Sequence, residues 1–399
     1  MPHRGEIPIL AASVEELQRV GAAVTAREIA QQPELWAETF ASYRQQHERF
    51  TQFLNAITQK HGRVRVLFAG AGSSAYVGDA ALPFVALTGD QAAFAFHATP
   101  TTSIVANPTS YLRHDEPTLL VSFARSGNSP ESTATVDLAR QLVKDLYEIA
   151  ITCAPDGNLA RQARGNERSL LWLMPERSND QGFAMTGSFT CMLLATLLLF
   201  DRRPLAEKER YVSQICAMGR DVIAREEEIR ALAGLDFQRI IYLGSGPLAG
   251  VAREVQLKVL ELTAGKIATL CDTSLGFRHG PKSFVDEQSL VFVLVSNDPY
   301  TRQYDLDMLR EVHDDGIARL ACGVLVRQEA TLPMKVFAFP QEYAALPDGY
   351  LTVPFTLFGQ ILALHTAVKL GNKPDTPSPT GTVNRVVKGV TIHRFPEGE

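Results

Sequence analysis

A chain of 399 residues is long enough for two ordinary domains, and 45% hydrophobic with 21% charged residues fits a globular protein. A formal net charge of −5 argues against nucleic-acid or membrane-surface binding, which calls for basic patches. Five scattered cysteines (Cys153, Cys191, Cys216, Cys271, Cys322) form no C-x-x-C pair, which argues against a zinc cluster or disulfide framework and fits a reducing cytoplasm.

The opening MPHRGEIPIL lacks the long apolar core of a signal peptide. The first sixty residues then predict helix. Ile29, Trp36, Phe40, Tyr43, Phe50, Phe53, Leu54 and Ile57 recur at near-helical spacing, and Pro33 is expected to break the run in two. Such an arm packs on the main body or on a partner subunit.

RVRVLFAGAGSSAYVGDAALPFVAL (63–87) reads as strand, Gly-rich turn and helix. Its G-A-G-S-S-A matches a variant of the dinucleotide fingerprint, which also needs an acidic residue about twenty positions on. The next predicted strand, AAFAFHATP, ends in His97-Ala-Thr, and Asp90 lies at its wrong end. That argues against NAD, and no G-x-x-x-x-G-K-[ST] supports a nucleotide P-loop. FARSGNSPEST (123–133) follows a third apolar run, Thr118–Val121, and precedes a helix-like stretch. By itself it reads as an ordinary helix cap, since Ser and Asn favour that position. Hydroxyls at helix N-termini also suit a small phosphate monoester, with Ser73, Ser74, Ser126, Asn128 and Ser129 as donors. Arg125 would either add charge to the phosphate or point to solvent. The apolar run Phe189–Phe200 is too short to span a bilayer and predicts a buried helix.

The grammar then repeats. FQRIIYLGSGPLAGVAREVQLKVLEL (237–262) copies 63–87, with Gly244 and Gly246 matching Gly70 and Gly72. QSLVFVLVSNDPYTRQYDLDMLREV copies the segment around Ser126-Gly127, which falls near Ser296-Asn297, and the copies lie about 170 residues apart. Apolar runs alternating with helices predict an α/β fold: two doubly wound parallel-sheet units with helices on both faces, joined around 202–236. Only the first copy keeps Ser on both turns, which predicts one anion site. In the second copy, Glu254, Lys258 and Glu261 share one helical face. This is either a solvated stripe or a partly buried acid–base set. SLGFRHGPKSF places His279 in a Gly/Pro-bounded loop, as a surface histidine or an acid–base candidate. The tail from Gly371 reads as a well-placed loop.

Five ordered segments, GAGSSA, SFARSGNSPES, LKVLELTAGK, GFRHGPKS and NRVVKGV, resemble the sugar isomerase (SIS) family, as does T-x-x-E-I-x-Q-Q-P-x-x-W (Thr25–Trp36). The resemblance is strongest to its AgaS-type galactosamine-6-phosphate deaminase/isomerase branch, often labelled tagatose-6-phosphate ketose/aldose isomerase. It implies a helical segment at 1–60, a first SIS subdomain at 61–225 and a second at 226–370, and an active-site tail at 371–399. By similarity to the isomerase half of glucosamine-6-phosphate synthase, the phosphate-binding hydroxyls fall on Ser74, Ser126 and Ser129. The isomerisation base falls on Glu261, other helix residues on Glu254 and Lys258, and a ring-opening histidine, supplied by the partner subunit, on His279. A sugar-ring-opening lysine near the C-terminus falls on Lys388. Ala124 stands where the synthase has a serine, and the glutaminase domain is lacking, which favours ammonia release. The implied substrate is galactosamine 6-phosphate, yielding tagatose 6-phosphate and ammonia in a cytoplasmic homodimer or higher homo-oligomer. The implied chemistry needs neither metal nor cofactor, since a carbonyl or imine beside C2 already acidifies its proton. Rival readings are a plain ketose/aldose phosphate isomerase, a glucosamine-6-phosphate deaminase, and a phosphosugar-sensing regulator. The last would want a basic DNA-binding module.

Overall fold

The structure, a computed structural model, describes residues 8–328, 332–387 and 389–396. The arm forms α1 (Val14–Val20), α2 (Ala23–Ala30) and α3 (Gln32–His61). As expected, Pro33 marks the break. It sits in the first turn of α3, where its missing N–H costs no helical bond.

The first half runs β1 (Val64–Ala69), α4 (Ser73–Thr88), β2 (Phe94–Ala98), α5 (Thr101–Ala106), α6 (Pro108–Tyr111) and β3 (Thr118–Ala124). It continues with α7 (Pro130–Leu142), β4 (Leu146–Thr152), α8 (Asn158–Ala163), β5 (Ser169–Leu173) and α9 (Gly187–Phe200). Helices α10 (Leu205–Ala224) and α11 (Glu226–Ala233) lead into the second half. That half comprises β6 (Arg239–Gly244), α12 (Pro247–Leu262), β7 (Ala268–Asp272), β8 (Ser289–Leu294), α13 (Thr301–Asp314), β9 (Leu320–Leu325), β10 (Lys335–Ala338) and α14 (Asp348–Lys369).

Each half holds one five-stranded sheet, and every strand pairing is parallel. The orders are β2-β1-β3-β4-β5 and, read from the other edge, β7-β6-β8-β9-β10. These are the same order, second-first-third-fourth-fifth, so the repeat seen in the sequence is a repeat of topology. Every residue of β1, β3, β4 and β8 is buried, as in parallel sheets covered on both faces. In this order the chain reverses direction between the first and third strands, which opens a crevice at their carboxyl ends.

The halves meet through helices. α12 packs against both α4 and α14. Glycines allow the close approach: a Cβ on Gly250 would lie 2.5 Å from Ala80 Cα, and one on Gly359 would lie 2.3 Å from Val255 Cγ1. All of α9 is buried, as its apolar run predicts. α14, 22 residues long, is apolar enough to cross a membrane by length and composition, but its most apolar stretch is wholly buried here. It closes the core of the second half, as α9 closes that of the first.

Candidate active site

The crevice of the first half lies between the turns after β1 and β3. Gly72 precedes α4 with φ +57°, a conformation that disfavours side chains, so the chain turns there and presents Ser73 and Ser74 in the first helical turn. Gly246 does the same before α12, with φ +56°. After β3, Gly127 (φ +65°) turns the chain so that Ser129 takes the N-cap place of α7, with Pro130 behind it. The sequence predicts a capping serine there, but the Ser129 side chain makes no cap bond. Its hydroxyl pairs with Ser132 Oγ at 2.6 Å, and the N-terminus of α7 stays open to an anion. Ser126 Oγ accepts from the Asn128 N–H (3.3 Å). Asn128 is exposed, and its side-chain oxygen accepts from the Asn158 N–H at the start of α8 (3.0 Å). Ser74 Oγ lies 3.7 Å from Met185 Sδ.

The charged stripe of the second half meets the first half at Ser73. Glu254, Lys258 and Glu261 project from α12 toward α4. Lys258 Nζ donates to Ser73 Oγ at 2.9 Å and to Glu261 Oε2 at 2.6 Å. Glu254 Oε1 stands 3.3 Å from the same ammonium, an ion-pair distance without hydrogen-bond geometry, so both its oxygens are buried without a hydrogen-bond partner. Burial pushes the Glu254 carboxyl up to about 7; Lys258 draws it down and Glu261 adds to the rise. For Lys258, burial favours the neutral amine, but Glu254 and Glu261 outweigh it and hold the pKa above the ordinary lysine value. Of the three, only Glu261 opens to solvent, with 25% of its side chain exposed. The stripe is therefore no solvated surface feature. It is a buried charge cluster with one carboxylate facing out.

The remaining sequence candidates lie elsewhere. His279 is exposed at the end of a short 3-10 turn, and no side-chain bond joins it to the α12 stripe among the described residues. Its loop is nonetheless fixed. Phe277 is buried, while Arg278 and Lys282 pair with Glu311 at 2.7 and 2.5 Å. Lys388 lies outside the described residues. Arg125 points neither to solvent nor to open crevice. Its guanidinium donates to the carbonyls of Gly182 (3.3 Å), Phe183 (3.1 Å) and Arg385 (2.7 Å).

Sequence reasoning missed the polar loop at 179–188. Asp180 is fully buried and accepts from the N–H groups of Thr186 (2.7 Å), Gly187 (3.1 Å) and Ser188 (2.9 Å), capping α9. Glu28 accepts from the N–H groups of Gln181 (2.5 Å) and Gly182 (3.1 Å). Burial, with Asp180 nearby, raises its carboxyl to about 7. Thr25, Gln32 and Trp36 complete the arm's role. Thr25 bonds Asp375 of the tail (2.8 Å), Gln32 bonds Gln360 (2.6 Å), and Trp36 Nε1 donates to Thr190 Oγ1 (2.9 Å). The arm motif is thus a buried polar frame, and its spacing was the one signal available.

In the second half the equivalent turns are occupied by carboxylates. Between β6 and β8 sits the Asp305 carboxylate, which accepts from Ser245 Oγ (2.5 Å), Ser274 Oγ (2.5 Å) and the Ser296 N–H (3.0 Å). Asp348 accepts from the Asn297 N–H (2.7 Å) and from Ser296 Oγ. The protein's own carboxylates fill the place an anion would take.

A family model described as the SIS domain matches residues 56–202. The D-galactosamine-6-phosphate deaminase AgaS of Shewanella sp. (strain ANA-3) is 41% identical over 395 residues, covering 99% of this chain and 98% of the relative. A structure described as tagatose-6-phosphate ketose/aldose isomerase from Escherichia coli matches with TM-score 0.83 at 37% identity, covering 93% of this chain and 96% of that one. The C-terminal domain of glucosamine-fructose-6-phosphate aminotransferase from Francisella tularensis matches with TM-score 0.72 at 19% identity, covering 87% and 96%, and shows the shared fold. The tandem sheets, the serine crevice and full-length similarity at this level agree: the chain belongs to the AgaS-type galactosamine-6-phosphate deaminase family of SIS-domain proteins.

Proposed function

We propose that the protein converts galactosamine 6-phosphate to tagatose 6-phosphate and ammonia. The observation that carries this reading is the Lys258 bridge, which couples buried Glu254 and outward-facing Glu261 to Ser73 on the serine-bearing turn. Ser74, Ser126 and Ser129, with the open N-termini of α4 and α7, hold the phosphate, and this fixes C1 and C2 near Glu261. Once the ring is open, Glu261 takes the proton from C2, the aldehyde oxygen O1 takes one from solvent, and an enaminol forms. The proton returns to C1, leaving C1 as a hydroxymethyl group and C2 as an imine. Water adds to the imine carbon, the C2–N bond breaks, and ammonia departs. Lys258 pairs with Glu261 at 2.6 Å and so fixes where the base stands. Glu254 shares the Lys258 charge and tunes it.

His279 serves ring opening. Its exposure on a fixed loop supports donation to the site of a second subunit, hence a homodimer or larger homo-oligomer with shared sites. All five cysteines are free thiols, which fits a cytoplasmic enzyme.

Glu261→Gln should lower ammonia release by about 10³-fold while tagatose 6-phosphate still binds, because only the proton carrier is lost. Near-wild-type turnover would remove Glu261 from the role. The description of the Escherichia coli relative favours a second reading, isomerisation without deamination. The same base serves both, and an ammonia-coupled assay on galactosamine 6-phosphate separates them.

A further inference from the structure

Arg125 directly precedes Ser126, yet only 6% of it is exposed. Three of its N–H groups are committed to backbone carbonyls. Two of these belong to the loop (Gly182, Phe183) and one to the C-terminal tail (Arg385). The tail answers in kind. The Arg385 guanidinium donates to the Asp180 carbonyl (Nε, 2.9 Å) and to Asn179 Oδ1 (3.3 Å). From the opposite side, Glu28 on α2 grips the N–H groups of Gln181 and Gly182. A Cβ at 182 would lie 2.9 Å from Glu28 Oε2, so the Glu28 carboxylate would have to shift to admit one. Two guanidinium groups and two carboxylates, Glu28 and Asp180, therefore share one seam through loop 179–183. The tail continues past it to the outer face of α7, where Phe395 packs on the core and the Pro396 carbonyl accepts from Gln141 (3.3 Å).

A guanidinium used on three fixed carbonyls is not free to swing to a substrate phosphate. We propose that Arg125 is a positioning residue. It clasps the C-terminal tail to loop 179–183 beside Ser126, and Glu28 on the N-terminal arm sets the loop to receive it. The kinetic part rests on the deaminase reading above. The seam makes the tail's seating depend on both ends of the chain.

The test uses the full-length protein. Hydrogen–deuterium exchange of segment 378–387 reports tail seating, steady-state ammonia release from galactosamine 6-phosphate reports function, and inhibition by inorganic phosphate reports the anion site. Arg125→Met and Arg385→Met should each speed tail exchange about tenfold or more and lower kcat by similar factors. The double variant should be no worse than the worse single one, because both act through one seated tail. The inhibition constant for inorganic phosphate should stay within about twofold of wild type. Unchanged tail exchange with a phosphate constant raised about tenfold would make Arg125 a phosphate ligand and overturn the clasp. Multiplying effects in the double variant would overturn it too. If Arg125→Met does not fold, Arg125→Lys keeps the buried charge but cannot span loop and tail together, and is read the same way. If the wild type releases no ammonia, the functional reading fails, and tail exchange alone decides the clasp.

Discussion

At the residue scale, the decisive group is Glu254. It is fully buried, and its ion-pair partner among the described residues is Lys258 at 3.3 Å; burial is the larger influence on its protonation. Its folded-state pKa of about 7 lies above the ordinary glutamate value of 4.5. Between those values the native state keeps a proton that the unfolded chain has lost, so this group's contribution falls as pH rises through the window. Glu254→Gln, which stays neutral throughout, should lose less stability than wild type between about pH 4.5 and about pH 7. Glu28 titrates in the same range but is present in both proteins, so the difference isolates Glu254. Calorimetric melting across the window checks this, and parallel curves would mean that Glu254 does not hold its proton there. This residue also marks a limit of the sequence. Spacing placed Glu254, Lys258 and Glu261 on one face but could not distinguish a solvated stripe from a buried cluster. That depended on α4, about 180 residues away in the chain, which covers the face.

At the scale of elements, the sequence was most legible where periodicity was strong. The arm helices, the strand–turn–helix copies and α9 all appear where the residues put them, because their patterns are local. Loop 179–188 was not legible, since its N–H groups at Gln181 and Gly182 are satisfied by Glu28 of the distant arm, and Asp180 turns forward to cap α9. Nor was the filling of the second crevice. The loss of the serines in SNDPYT pointed to one anion site, but Asp305 as the occupant is visible only once α13 folds back. Helix placement itself is testable. Gly250 lets α12 approach Ala80 of α4, which sets the Lys258–Ser73 contact. Gly250→Ala forces the helices apart or the backbone to shift, costing about 1–3 kcal/mol of stability. If α12 carries the acid–base set and α4 the phosphate-binding serines, as proposed, the expected result is a lower melting temperature together with a kcat reduced about tenfold per folded molecule. A lower melting temperature with unchanged kcat would show that the contact between the halves does not set the catalytic geometry.

At the scale of the whole molecule, two copies of one topology have diverged into complementary roles. The first half presents hydroxyls and helix N-termini, and the second presents the charged helix. Neither alone holds both, which accounts for the tight packing of α12 on α4. His279 lies on the surface, displayed outward by a loop pinned through Glu311. If the partner subunit uses it, each complete site takes Glu261 from one chain and His279 from the other. Glu261→Gln and His279→Asn are then each inactive alone. A mixed dimer restores one site, built from the intact Glu261 of one chain and the intact His279 of the other. Random reassortment makes half of the dimers mixed, each with one good site of two, so ammonia release should recover to about a quarter of the wild-type rate per dimer. Mixing without subunit exchange provides the baseline. Activity that stays at that baseline after exchange, verified by native mass spectrometry of the hybrids, would place His279 and Glu261 in the same chain's site and overturn the shared-site reading.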